Sequence, residues 1–282
     1  MQTLHAIITG GSSGIGRELG RRLAALGYSL SLIARRKERL DEAAAEIASH
    51  FKNPAQRVFV CSADVSEADQ AETAVQACIG KLGTPDLVVT SAGVAVPGYF
   101  SDTSLEAHER SMAVNYFGSL YVVRAALPAM RARRQGRIVF ISSGAGLMGL
   151  FGYTSYSPSK FALRGLAESL RAELSAENIG ISIVYPPDTE TPMLEEENKI
   201  KPEETKLITG VVKTWSVEAV ADCIMRGISR GAFAITPGVA ITMMNRAPGV
   251  TIPLLSWYCG WLVAGLRRKR DKRSQRPNDR AA

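Results

Sequence analysis

Apolar runs alternate with amphipathic stretches along most of the chain. Residues 4–9, 29–34, 57–61, 87–90, 137–141 and 181–185 are short and rich in Val, Ile and Leu, as strands buried on both faces must be. Between them the apolar positions recur at helical spacing, near 14–26, 37–51, 67–81, 105–133, 157–177 and 217–229. Several helix starts carry capping residues: Ser66 with Asp69 three positions on, Ser104 before Leu105, and Ser216 before Val217. Repeated β-α units predict an α/β fold, a doubly wound parallel sheet of the Rossmann type with helices on both faces and right-handed crossovers. Ligands bind such sheets beyond the carboxyl ends of the strands. Residues 190–215 are polar and weakly periodic, which predicts a mobile loop rather than core.

The first strand runs into Thr9-Gly10-Gly11-Ser12-Ser13-Gly14-Ile15-Gly16 and then a helix. Gly10, Gly14 and Gly16 allow a tight turn and a close backbone approach, and the N–H groups of Ser12, Ser13 and Ile15 open a helix N-terminus that favours a pyrophosphate. The context, strand before and helix after, is the one a dinucleotide loop requires. After the second strand comes Ala34-Arg35-Arg36-Lys37, where an acidic residue would bind the ribose of NAD. Guanidinium groups there pair instead with a 2′-phosphate, so NADPH/NADP+ is the expected cofactor, with Arg35 and then Arg36 as its readers. Asp64 and Val65, after the third strand, are placed to meet the adenine, although Asp64 can equally cap a helix.

Tyr156 and Lys160 stand one turn apart in Tyr156-Ser157-Pro158-Ser159-Lys160, and Ser143 lies thirteen residues upstream at the end of the fifth strand. An ammonium beside a phenol is expected to lower its pKa, and a serine hydroxyl there can hydrogen-bond a substrate oxygen. Together with the glycine loop, these residues resemble the short-chain dehydrogenase/reductase family over residues 3 to about 236. The resemblance implies an oxidoreductase acting on a ketone or alcohol, with Ser143, Tyr156 and Lys160 catalytic. It implies that Asn115, in Met112-Ala113-Val114-Asn115, holds a water joining Lys160 to solvent; a helix-kinking role is the structural alternative. Ala92 and Gly93 match the family's Asn-Ala-Gly turn, but Ser91 replaces its asparagine. Pro186-Pro187 replaces its Pro-Gly, with Thr189 and Thr191 available to the nicotinamide amide and phosphates. Cofactor contacts from Tyr156 and Lys160 are implied as well.

Three segments, 149–156, 185–192 and 195–205, resemble the branch of the family that reduces the long-chain amino-ketone lipid 3-dehydrosphinganine, the double proline before Asp188-Thr189-Glu190-Thr191-Pro192 above all. A steroid or 3-oxoacyl ketone is the alternative substrate, and an NADP-binding membrane scaffold the non-enzymatic one. Glu195–Glu197 could greet a substrate ammonium or simply face water.

From Gly231 to Leu266 the only charged residue is Arg246. Residues 250–266 are apolar, with Trp257, Tyr258 and Trp261, but seventeen helical residues fall short of a bilayer core of about 30 Å, and Pro253 is expected to interrupt them. A monotopic membrane-associating segment is therefore expected, a second copy of the chain in a homo-oligomer being the alternative cover. The formal charge of +7 resides largely in the tail: from Arg267 onward eight basic residues oppose two acidic ones. That placement suits anionic headgroups, and no base-reading motif suggests a nucleic-acid partner. Scattered cysteines and isolated histidines give no metal spacing. The expected organisation is an NADP-binding catalytic domain over 1–236 with a substrate loop at 189–215, an apolar segment at 237–266 and a basic tail at 267–282. The expected location is a membrane, the bacterial inner membrane or the endoplasmic reticulum, with the active site facing the cytoplasm.

Overall fold

The computed structural model describes residues 3–274. The chain runs β1 (His5–Thr9), α1 (Gly14–Ala25), β2 (Ser29–Ala34), α2 (Lys37–Ala48), β3 (Val58–Ser62), α3 (Ala68–Leu82) and β4 (Leu87–Thr90). Next come α4 (Leu105–Met112), a π-helical turn (Ala113–Phe117) and α5 (Gly118–Arg133), then β5 (Gly136–Ile141), α6 (Tyr156–Glu173) and β6 (Ile179–Val184). They are followed by α7 (Pro192–Ile200), α8 (Glu203–Thr209), α9 (Val217–Ser229), β7 (Ala234–Ile235), α10 (Val239–Arg246) and α11 (Pro248–Ser274).

The seven strands form one parallel sheet in the order β3-β2-β1-β4-β5-β6-β7. The order reverses at β1, which pairs with both β2 and β4, and a crevice opens there beyond their carboxyl ends. Alternate strand residues feed two cores. Ile7, Val88, Ile138 and Phe140 pack with Val75 of α3, Val122 of α5 and Leu163 of α6. Ile8, Leu32, Val89 and Val139 pack with Leu19 of α1, Leu40 of α2 and Ile224 of α9. Both faces are thus covered, which is why the strands read as continuous apolar runs.

Ser104 and Ser216 cap their helices as expected, accepting from the N–H groups of Ala107 and Ala219. Ser66 does not. Its hydroxyl donates to Asp64 and meets Arg110, so α3 starts only after Glu67, whose side chain makes no cap hydrogen bond. The two-residue strand β7 was too short to predict.

Residues 190–215 are not a loose loop: they hold α7 and α8. Their buried side chains include Glu197, Lys201, Pro202, Glu204, Thr205 and Ile208, and the polar ones are satisfied by each other and by the body of the protein. Tyr153 donates to Glu197, Tyr99 donates to Glu204, and Thr205 donates to the Phe151 carbonyl.

Pro253 does not interrupt the last helix. It lies in the second turn of α11, where it removes a single hydrogen bond, and α11 continues for 27 residues, about 40 Å. Its span Pro248–Arg268, with mean hydropathy 1.4, is the one helix among the described residues long and apolar enough to cross a membrane. The helix has two apolar faces. Ile252, Leu255 and Cys259 pack on the protein, whereas Val250, Leu254, Trp257 and Trp261 are exposed. Residues 275–282 of the basic tail lie outside the described residues.

Candidate active site

At the turn between β1 and α1, Gly10 takes φ +65°, and a Cβ there would meet the Ala92 nitrogen at 2.8 Å. A Cβ on Gly16 would lie 2.5 Å from the Gly10 carbonyl oxygen. The loop therefore folds onto itself and onto Ser91-Ala92-Gly93 only with glycine at both positions. The buried hydroxyl of Thr9 accepts from the N–H groups of Ser91 and Ala92 and so holds that turn without an asparagine at 91. Ser13 precedes α1 in extended conformation and makes no side-chain cap, so the first N–H groups of a 12-residue helix are left for a ligand.

The crevice has two connected parts that share Gly10, Ser13, Ala92 and Gly93. The outer part is lined by Ser12, Arg35, Arg36, Asp64 and Val65. The inner part holds Gly14, Ile15, Pro186, Thr189 and Thr191 together with Ser143, Tyr156 and Lys160. Gly16 does not line it and serves the packing of the loop. Asp64 is engaged by the protein itself. Burial opposes its ionisation, but hydrogen bonds from Ser66 and Arg110, the latter at 2.9 Å, hold its carboxyl at about 2. Arg35 comes only within 4.0 Å of it and is largely exposed. The Thr189 hydroxyl donates to the Pro187 carbonyl, and the Thr191 hydroxyl caps α7 by accepting from Leu194.

At the inner end, Tyr156 opens α6 and Lys160 follows one turn later, which aims both side chains at the carboxyl edge of β5. Ser143, just beyond β5, hydrogen-bonds the Tyr156 hydroxyl. Lys160 is buried; its Nζ donates to the Ile141 carbonyl at 3.0 Å and lies 5.5 Å from the Tyr156 ring centre. Asn115 is fully buried in the π turn. Its Oδ1 accepts from Val94 N, and its two amide hydrogens go to the Val94 carbonyl and Ser159 Oγ. The side chain thus ties the segment after Gly93 to α6, and the helix distortion and this tie go together.

The phenol is not made acidic by its neighbour. Burial pushes the Tyr156 pKa up, carboxylate charge from Glu197 adds to this, and the Ser143 hydrogen bond only partly opposes it. Burial likewise pushes Lys160 down to about 8. Desolvation is the largest influence on both groups, and the pair is held as phenol and ammonium at neutral pH.

Two further features were not read from the sequence. Tyr153 packs against Tyr156, ring centres 5.7 Å apart, and donates to Glu197 Oε2 at 2.6 Å. Lys201, almost wholly enclosed, lies 3.8 Å from the same oxygen and 3.3 Å from Asp188. Glu195 and Glu196 of the same acidic run are exposed. Beyond Ser143, Leu150 and Pro187 the cavity continues into an apolar groove walled by Met148, Ile208, Ile241, Met244, Leu255 and Leu262. Part of that wall is α11, whose return to the site no local pattern of residues foretells.

Residues 4–202 match the family model for short chain dehydrogenases. The chain belongs to the short-chain dehydrogenase family. It is accordingly an oxidoreductase acting on CH–OH or C=O groups with a nicotinamide cofactor. Among curated family members, the chain is 44% identical over 230 residues to 3-ketodihydrosphingosine reductase of Bos taurus, covering 81% of this chain and 69% of that one. It is 43% identical over 235 residues to 3-dehydrosphinganine reductase of Danio rerio, covering 83% and 71%. Among solved structures, levodione reductase shares the fold with a TM-score of 0.74 at 23% identity, over 82% of this chain and 95% of that one.

Proposed function

We propose that this chain uses NADPH to reduce 3-ketodihydrosphingosine, an amino ketone on a long acyl chain, to the corresponding alcohol. The observation that carries this reading is the union of a polar reaction cavity at Tyr156 with an apolar groove that begins at Ser143 and ends on α11. A ketone bonded to Ser143 and Tyr156 has room for a hydrocarbon tail in one direction only. The names of the curated relatives above agree with that substrate.

The bound nicotinamide would supply the hydride to the carbonyl carbon. Ser143 and Tyr156 then hydrogen-bond the carbonyl oxygen, and the Tyr156 hydroxyl gives it a proton as negative charge develops. Lys160, held charged against the Ile141 carbonyl, stabilises the phenolate left behind. Asn115 fixes the distance between Gly93 and α6, and so sets where Lys160 stands. The glycine loop and the α1 N-terminus would hold the pyrophosphate, and Arg35 with Arg36 the 2′-phosphate. The catalytic domain is taken to span 1–236, with 237–266 as the membrane-associating segment and 267–282 as a basic tail. Because α11 already packs one face on the protein, its exposed Trp257 and Trp261 face is better suited to lie in a membrane surface than to cross it.

Substrate identity is tested with NADPH and a panel of 3-ketodihydrosphingosine, a 3-oxoacyl thioester and a ketosteroid. The sphingoid ketone is expected to have the highest kcat/KM by at least about tenfold. A preference for either of the others would replace it.

The pH profile follows from Lys160. Its charged form is present below about 8 and is lost above it. The kcat/KM for ketone reduction is therefore expected to be level below that pH and to fall about tenfold per unit beyond it. A rate that climbs over the same range would contradict the need for the ammonium.

Deleting residues 248–282 is expected to release the protein from anionic phosphatidylserine vesicles in a sedimentation assay while NADPH binding persists. A truncated protein that still pellets with the vesicles would place the membrane contact elsewhere.

A further inference from the structure

Glu197 is the acidic residue that α7 turns inward, and it lines the reaction cavity but not the apolar groove. Among the residues lining that cavity, only Asp188 and Glu197 are acidic. Asp188 stands where cavity and groove join. Both share one partner ammonium, that of Lys201, at 3.3 and 3.8 Å, and the Tyr153 hydroxyl fixes Glu197 Oε2. Two carboxylates held beside one enclosed lysine are only partly neutralised. Placing a carboxylate out of water is costly unless its charge is met, and a cation arriving in the cavity would meet it.

The geometry of a bound ketone says where that cation must be. With its oxygen on Ser143 and Tyr156 and its tail in the groove, the other substituent of the carbonyl carbon points into the part of the cavity walled by Glu197. In 3-ketodihydrosphingosine that substituent carries the amine, on the carbon adjacent to the carbonyl. Lys160, the basic residue that lines the cavity, is committed to the Ile141 carbonyl and the phenol. A second positive charge beside it requires a negative one close by.

We infer that Glu197, seconded by Asp188, is the specificity-determining group that recognises the substrate's ammonium and so selects amino ketones over plain long-chain ketones. This rests on the reductase reading above. Lys201 and Tyr153 are positioning residues: they hold the carboxylate in the cavity without touching the substrate.

The test compares 3-ketodihydrosphingosine with a 1-hydroxy-3-ketone of equal chain length that lacks the amine, both with NADPH. The wild-type kcat/KM ratio should favour the amino ketone by at least about tenfold, the worth of one hydrogen bond to a charged group. Glu197→Gln keeps the shape and the bond to Tyr153, and it should bring that ratio to within about threefold of unity, chiefly through KM. Asp188→Asn, which leaves Lys201 to Glu197 alone, should lower the ratio less. NADPH binding confirms that each variant is folded. A Glu197→Gln enzyme that loses rate on both ketones in proportion, with the ratio intact, would overturn the inference and leave Glu197 structural. A wild-type enzyme that reduces both ketones equally would overturn it while the reductase reading stands. Turnover of neither ketone would remove both.

Discussion

Replacing Tyr156 with phenylalanine is expected to lower kcat for ketone reduction by about a thousandfold or more, while the affinity for NADPH stays within about twofold, the range for loss of a positioned general acid. The ring remains to pack on Tyr153, so the cavity keeps its shape. What disappears is the hydroxyl that burial keeps protonated against the opposing pull of Ser143. Water is a poor replacement because the neighbouring ammonium of Lys160 is aimed at the phenol and at Ile141. Stopped-flow NADPH oxidation gives kcat, and fluorescence titration gives the cofactor affinity. A loss smaller than about tenfold would mean that the proton comes from another group.

The second large effect concerns the choice of cofactor. Changing Arg35 to alanine is expected to lower the ratio of NADPH to NADH affinity by roughly thirtyfold, about 2 kcal/mol for a hydrogen bond between charged groups. Arg35 is exposed at the outer end of the crevice, and its nearest acidic neighbour, Asp64 at 4.0 Å, is already taken by Arg110. It would therefore meet a 2′-phosphate without a strong competing ion pair. Removing Arg36 as well should deepen the loss. Titration with both dinucleotides decides it, and a ratio unchanged in the double variant would move phosphate recognition away from these arginines.

Five of the six longer strands were legible because they are buried on both faces and leave an unbroken apolar trace, and β3, at the sheet edge and only partly buried, keeps enough of that trace to be read. The seventh, at two residues, leaves none. The glycine loop and the Ser143, Tyr156 and Lys160 spacing were legible because turn geometry and helical periodicity fix where those residues go. Residues 190–215 misled for a physical reason. Glu197, Lys201, Glu204 and Thr205 are buried by pairing with one another and with Tyr153, Tyr99 and Phe151, and hydrophobic periodicity is blind to polar groups that satisfy each other. Pro253 misled because a proline near the start of a long helix costs one hydrogen bond and need not end it. The lowered phenol pKa was wrong in sign because spacing reveals the neighbouring ammonium but not the degree of desolvation, which dominates at this site.

The central claim is that a sphingoid ketone is reduced by hydride delivered opposite Tyr156. Its most direct test is isotopic: NADPH deuterated at the transferring position is supplied with 3-ketodihydrosphingosine, and the alcohol is analysed by mass spectrometry. One deuterium on the carbinol carbon for each NADPH consumed is the predicted result, with Tyr156→Phe forming the labelled alcohol about a thousandfold more slowly. Unlabelled product, or labelled alcohol formed at equal rates by the two proteins, would contradict it.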